Sequence, residues 1–247
     1  MTLLNGLEFR MHQGMSAVVL TGAGISAESG VPIFRGKGSM WDIPNARKLA
    51  RRAGPPWNTK GTWEFYDWRR QLVAQCEPNR AHLTITKMEE YFGKFHLITQ
   101  NVDGLHQKAG TKNILELHGN MWEGKCPKDK EIVKLPETPL KEIPPRHDCG
   151  VALAPHVVQF GQPVEDLYES FRASENADLF LVVGTSAVVS PAREMPLTAL
   201  ENGSIVIEIN PERTSISDQV TLSIQGNAGI LLPRLWKDML HRKANIK

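Results

Sequence analysis

Cysteine, long apolar runs and net charge are all scarce in this 247-residue chain, and each shortage excludes a class of protein. Three cysteines, Cys76, Cys126 and Cys149, cannot build the dense disulfide framework of a secreted scaffold, and so few of them fit a reducing compartment. No apolar run approaches the length of a membrane span, and the opening residues MTLLNGLEFRMHQG lack a signal-peptide pattern. Together these absences predict a cytoplasmic protein. A formal charge of +2 is too small to make nucleic acid or an anionic membrane the expected partner. The basic end HRKANIK reads as a solvated, frayed terminus. No internal repeat is present. With 41% hydrophobic and 23% charged residues, what remains is a globular chain, long enough for one domain or for a large domain with a smaller lobe.

Four short runs rich in Val, Leu and Ile punctuate the chain: AVVLTGAG from Ala17, FHLITQNVDG from Phe95, DLFLVVGTS from Asp178 and SIVIEINPE from Ser204. Each is nearly continuous rather than alternating, as expected of strands covered on both faces. Each leads into Gly, Asn or Ser and then a more polar, helix-like stretch. The pattern predicts an α/β fold, a parallel sheet with helices on both faces. Residues 34–72 and 121–157 break the rhythm. The first is turn-rich and helical, and the second holds two of the cysteines and the proline-rich KLPETPLKEIPPRHD. Both read as insertions forming a small lobe, with 1–33, 73–120 and 158–247 in the large domain and a cleft between the two.

Within the first insertion, TWEFYDWRRQL (62–72) has a helical stripe of Phe65, Trp68 and Leu72 to bury. Tyr66 and Arg69, three apart, share another face and can converge on one point. Taken alone, such a pair is more often a solvated surface feature. Near the N-terminus, Gly22 and Gly24 directly follow a strand, with Ser26, Ala27 and Glu28 where a helix would open. Glycines there let backbone N–H groups approach a pyrophosphate at a helix N-terminus. A plain tight turn from strand to helix explains the same residues equally well.

Long motifs then occur in order. VVLTGAGISAESGVPIFRG, ITQNVDGLHQKAG (98–110), ELHGN (116–120), VVQFGQ (157–162) and VVGTSAVVSPA (182–192) follow one another at the spacing found in sirtuins, and the resemblance runs from about Ser16 to Pro233. It implies a Rossmann-like large domain and an NAD-dependent protein-lysine deacylase, whose partners are acyl-lysine proteins or peptides. NAD would be consumed, giving nicotinamide, free lysine and an O-acyl-ADP-ribose. By the same resemblance His118 is the base that takes a proton from a ribose hydroxyl, and Asn101 acts beside it. Gly22, Ala23, Gly24, Ser26, Phe34, Arg35, Gln100, Asn101, Asp103, Gly184, Thr185, Ser186, Asn210 and Glu212 would hold the cofactor. Imidazole suits the first role because its unperturbed pKa lies near neutrality. Val158, Phe160 and Gly161 would pair with the substrate peptide as an added strand. His106 and His156 read as structural.

The resemblance also gives Tyr66 and Arg69 a context. They match the pair that sirtuins removing succinyl and malonyl groups carry at the floor of the acyl pocket, where an arginine binds a carboxylate by two hydrogen bonds and a tyrosine supplies a third. Two departures stand out. The family's structural zinc needs two Cys-x-x-Cys pairs, but Asp129 replaces one cysteine and PPRHDCG offers only Cys149 with His147. The expectation is that the metal has been lost and that packing holds the lobe, with Cys126, Asp129, His147 and Cys149 as the alternative ligands. Gln162 stands where the family commonly has Glu. Two competing functions fit the same cofactor motifs: an NAD hydrolase or ADP-ribosyltransferase, and a catalytically weak module that binds NAD or ADP-ribose.

Overall fold

The computed structural model describes residues 3–4, 11–33, 38–53, 59–159 and 161–244, with backbone only for 242–244. In chain order the elements are β1 (Ser16–Thr21), α1 (Ala23–Ala27), a 3-10 turn at Met40–Asp42, α2 (Ala46–Ala53), α3 (Thr59–Val73), α4 (Arg80–Tyr91), β2 (Lys94–Thr99), α5 (Leu105–Ala109), β3 (Ile114–Glu116) and β4 (Gly119–Lys125). There follow β5 (Ile132–Lys134), β6 (Ala154–Val157), α6 (Leu167–Glu175), β7 (Leu179–Val183), α7 (Met195–Glu201), β8 (Ile205–Asn210), β9 (Leu222–Gln225) and α8 (Ala228–Ala244).

Six strands form one sheet in the order β3-β2-β1-β7-β8-β9, and every pairing in it is parallel. The continuous apolar runs are explained by what covers them. Val19, Leu97, Leu181 and Ile207 point to one face, where they meet Ile85 and Met88 of α4 and Leu232 and Leu235 of α8. Val18, Leu20, Phe180, Val182 and Val206 point to the other, against Ala173 of α6 and Met195 and Ala199 of α7. Successive residues of a strand face opposite sides, so a strand covered twice must be apolar throughout. The two outer strands escaped the sequence reading. β3 and β9 are three and four residues long, only partly buried and partly polar, so neither leaves an apolar run.

A second sheet, β5-β4-β6, is antiparallel and comes from the cysteine-bearing stretch. Trp63 of α3 is fully buried against it with Cys126 and Leu153, and its indole N–H donates to Leu153 O at 2.7 Å. The burial of α3 corrects the expected stripe. Phe65 is buried, but Trp68 and Leu72 are only half-buried, while Tyr66, Arg69 and Arg70 are enclosed with Trp63 and Val73. The helix is wedged between two packing partners, so it buries far more than one face. Arg70 is fully buried over the Trp122 ring and donates from Nη2 to the carbonyls of Leu135 and Glu137, which ties α3 to the strap after β5. Among the described residues, no helix is long and apolar enough to cross a membrane.

Candidate functional site

In the large sheet the strand order turns at β1: β2 and β3 lie on one side of it and β7, β8 and β9 on the other. A crevice outside the C-terminal ends of β1 and β7 is where open α/β sheets receive ligands. Gly22, Ala23 and Gly24 follow β1, Gln100, Asn101 and Asp103 follow β2, Gly184, Thr185 and Ser186 follow β7, and Asn210 ends β8. The fold thus brings residues separated by nearly the whole chain to one edge.

The glycines have a steric reason that the sequence concealed. A Cβ on Gly22 would lie 2.8 Å from Thr185 Cβ, and one on Gly24 would lie 2.7 Å from Gly184 O. Gly184 has φ +63°, and a Cβ there would meet Ile25 N at 2.3 Å. The loops after β1 and β7 cross in contact, with Gly24 N–H donating to Gly184 O at 2.8 Å. The expected helix opening is one short turn, five residues with no side-chain cap. Beside the crossing, Gln100 Nε2 donates to Thr185 Oγ1 at 2.9 Å, and Ser186 is exposed. Asn210 donates to Glu212 O at 2.8 Å. Glu208, which the sequence reading passed over, is buried and accepts from Thr214, from Ser217 at 2.5 Å and from Ser223 at 2.7 Å, holding the turn beyond β8. Small residues, hydroxyls and amides along a strand-end crevice are a donor set that fits a dinucleotide. Phe34, Arg35 and Phe160 lie outside the described residues.

Behind this edge is a buried polar cluster. Ser26 donates to Asp103 Oδ2 at 2.7 Å, Asp103 Oδ1 accepts from Leu105 N–H at 2.9 Å, and Asn101 Nδ2 donates to Gly22 O at 3.1 Å and to Ser26 Oγ at 3.3 Å. Ser26 is fully buried, and its hydroxyl ties Asp103 to Asn101. Burial pushes the Asp103 carboxyl up, against these bonds and the nearby Arg69, which favour its charge. His82 is a member that the sequence reading missed. Its Nε2 lies 3.4 Å from Ser26 Oγ, its Nδ1 accepts from Asn79 N–H at 3.2 Å, and burial lowers its pKa to about 4. Nothing in NRAH, a helix start in sequence, reveals that role. His106 packs on His82 with ring centroids 4.8 Å apart and reaches Thr21 Oγ1 at 3.1 Å.

His118 sits between β3 and β4, half-buried, with Nδ1 2.9 Å from Gln100 O. A carbonyl can only accept, so Nδ1 carries the proton and Nε2 is left with a lone pair. Burial lowers the ring's pKa, partly offset by this bond, and the imidazole is neutral at neutral pH. That is the form a general base requires. His118 O accepts from Val158 N–H at 3.0 Å, joining His118 to the segment after β6. Gly161 (φ +88°) and Gln162 are exposed in that segment. His156 is clamped between Glu123 at 2.9 Å and Glu165 at 2.7 Å, which raise its pKa and fix it structurally, as expected.

Tyr66 and Arg69 are brought together, each less than a tenth exposed, with the Arg69 carbon Cζ 5.6 Å from the Tyr66 ring centre. They are not a surface pair. Burial pushes the Arg69 pKa down, opposed by the charges of Tyr66 and Asp103. Gln159, absent from the sequence reading, donates from Nε2 to the Tyr66 hydroxyl at 3.3 Å.

The four alternative metal ligands also converge. One ligand atom each from Cys126, Asp129, His147 and Cys149 lies within 4.8 Å of every other. The Cys126 and Cys149 sulfurs are 3.9 Å apart, His147 Nδ1 is 3.1 Å from Cys149 Sγ and 3.5 Å from Asp129 Oδ2, and His147 Nε2 faces Glu131 at 3.1 Å. This weighs against the expectation that the metal was lost. A lobe held by packing alone has no need to aim two sulfurs, an imidazole and a carboxylate at one point. Such a set fits tetrahedral zinc.

Comparison with known proteins agrees with this geometry. A model of the Sir2 family matches residues 22–191. The chain is 47% identical to an NAD-dependent protein deacylase of Aquifex aeolicus (strain VF5), across 95% of this chain and 99% of that protein. It is 42% identical to an NAD-dependent protein deacylase of Pyrococcus abyssi (strain GE5 / Orsay), across 89% and 91%. A solved Sir2 homolog–NAD complex superposes with a TM-score of 0.81 at 34% identity, covering 96% of this chain and all of the other. A Sir2–p53 peptide–NAD+ complex does so with a TM-score of 0.74 at 31% identity, covering 96% and 95%. With its strand-end crevice, its neutral histidine and these relatives, the chain belongs to the Sir2 family and is an NAD-dependent protein deacylase.

Proposed function

We propose that the enzyme removes acyl groups ending in a carboxylate, succinyl and malonyl, from protein lysines, with acetyl as a secondary substrate. The observation that carries this reading is the buried pair Tyr66 and Arg69. A guanidinium can bind a carboxylate by two parallel hydrogen bonds while a phenol supplies a third, and an acyl chain with a terminal carboxylate suits that donor set. The reaction would take place in a cleft between a large domain of 1–33, 73–120 and 158–247 and a lobe of 34–72 and 121–157.

NAD, when bound, supplies the ribose carbon that the acyl oxygen attacks as nicotinamide leaves. The protein's own part is to bind, orient and move one proton. Gly22, Ala23, Gly24, Thr185 and Ser186 line the pyrophosphate side, Asn210 and Glu212 the adenosine side, and Gln100, Asn101 and Asp103 the nicotinamide side, with Phe34 and Arg35 assigned by family resemblance. His118 Nε2 takes the proton of a ribose hydroxyl. Val158 and Gly161, with Phe160 assigned by family resemblance, hold the peptide as a strand. Cys126, Asp129, His147 and Cys149 would hold a structural zinc and so brace the second sheet.

Mass spectrometry of the products from NAD and a succinyl-lysine peptide tests the reading. O-succinyl-ADP-ribose and free lysine support it. Bare ADP-ribose would mean an NAD hydrolase, a modified protein an ADP-ribosyltransferase, and no turnover a binding module.

A further inference from the structure

The Tyr66 hydroxyl can accept two hydrogen bonds and donate one, and its use in reading a carboxylate depends on which way its proton points. Gln159 settles that direction. One face of its amide lies 3.2 Å from Val157 O and 3.3 Å from Tyr66 Oη. A main-chain carbonyl only accepts, so the atom facing it is Nε2; the flipped amide would set oxygen against oxygen. The same nitrogen therefore gives its second hydrogen to the phenol, and Tyr66 Oη is an acceptor toward Gln159. Arg69, a donor with no lone pair to offer, is a second hydrogen-bonding neighbour of Tyr66, its Cζ 5.6 Å from the ring centre. With two donors at the oxygen, the phenolic proton is turned away from both.

We infer that Gln159 is a specificity-determining positioning residue, which holds the Tyr66 hydroxyl as a donor toward the carboxylate end of the acyl group. The inference rests on the succinyl and malonyl reading above. A carboxylate has only lone pairs to present, so a hydroxyl fixed as a donor rewards it; an acetyl methyl has nothing to accept with. An acidic residue at position 159 would do the reverse, claiming the phenolic proton and repelling the substrate's charge. The loop is built to hold the amide in place. Gln159 N–H donates to Gln162 Oε1 at 2.9 Å, and Gln162 N–H returns a bond to Gln159 O at 2.9 Å. The neighbouring Val158 N–H is bonded to His118 O, so the segment expected to pair with the peptide also sets the acyl pocket.

The test compares wild type, Gln159→Leu and Gln159→Glu on succinyl- and acetyl-lysine peptides, with kcat and KM resolved. The ligand-free enzymes are also examined by 13Cζ-tyrosine NMR, with the Tyr66 signal assigned by Tyr66→Phe. Gln159→Leu should lower the succinyl-to-acetyl ratio of kcat/KM about 3- to 10-fold, the size of one neutral hydrogen bond, through the succinyl KM, and should shift the Tyr66 resonance alone. Gln159→Glu should lower the ratio further. An unchanged ratio in Gln159→Leu, with or without a shifted resonance, overturns the inference, as does an equal fall on both substrates, which marks the loop as scaffold. A wild type that does not prefer succinyl-lysine overturns the parent reading, and this one with it, before any variant is compared.

Discussion

The cluster at the strand-end edge and the proposed acyl pocket are both buried and polar, yet they are assembled in opposite ways. At the edge, Ser26, Asn101 and Asp103 are bonded to one another and to main-chain groups of loops that parallel strands place side by side. At the pocket, a cation and a phenol from one helix meet an amide 93 residues from Tyr66. The first cluster is mostly a consequence of strand order, and many substitutions elsewhere would leave it standing. The second rests on three side chains. On the proposed reading, cofactor use is a property of the fold, while acyl preference is a property of a few residues, open to change one residue at a time.

That contrast can be broken first at the edge. His118→Tyr should cut deacylation of every acyl peptide by about 100-fold or more, the usual worth of a general base, while calorimetry still finds NAD binding. A folded variant that keeps a tenth of wild-type kcat would move the base elsewhere. At the pocket, Arg69→Met should lose about 30-fold or more in kcat/KM on succinyl-lysine and spare acetyl-lysine, since truncating one member of a buried charge pair costs that much. An equal loss on both would make α3 a scaffold and erase the distinction between the clusters.

Removing metal acts on neither cluster directly. Elemental analysis should find about one zinc per chain, and chelation should lower the melting temperature by roughly 5–10 °C, as loss of a few kcal/mol does in a chain of this size. A metal-free protein with unchanged melting would return the second sheet to packing alone. Tyr66→Phe should repeat the selectivity of Arg69→Met with a smaller loss, about 2- to 10-fold, because it removes one neutral donor. The smallest effect is in pH. Burial lowers the His118 pKa, so the imidazole stays neutral below its ordinary 6.5, and the acid limb of kcat/KM should fall with a midpoint under that value. A midpoint above it would identify a base whose charged form is stabilised.

Legibility followed length and periodicity. The four central strands showed in the sequence because each is covered twice, whereas β3 and β9 at the edges are too short and too polar to stand out. His118 was legible inside a long motif. His82 and Gln159 were not, since a histidine in a helix's first turn and a glutamine in a loop carry no local sign of the distant serine and tyrosine they touch. The stripe of Phe65, Trp68 and Leu72 misled because periodicity foresees one buried face, and α3 has two packing partners.

By itself the sequence determined the parallel α/β sheet, the strand-end motifs and the family, because hydrophobic period and contiguous motifs are local properties of a chain. Only the tertiary structure decided that Gly22 and Gly24 are required by Gly184, that Arg69 is buried beside Tyr66, and that four unlike side chains at 126, 129, 147 and 149 meet at one point. Each of those facts is a distance between segments far apart in the chain, and such distances are fixed when the sheet and the insertions pack together.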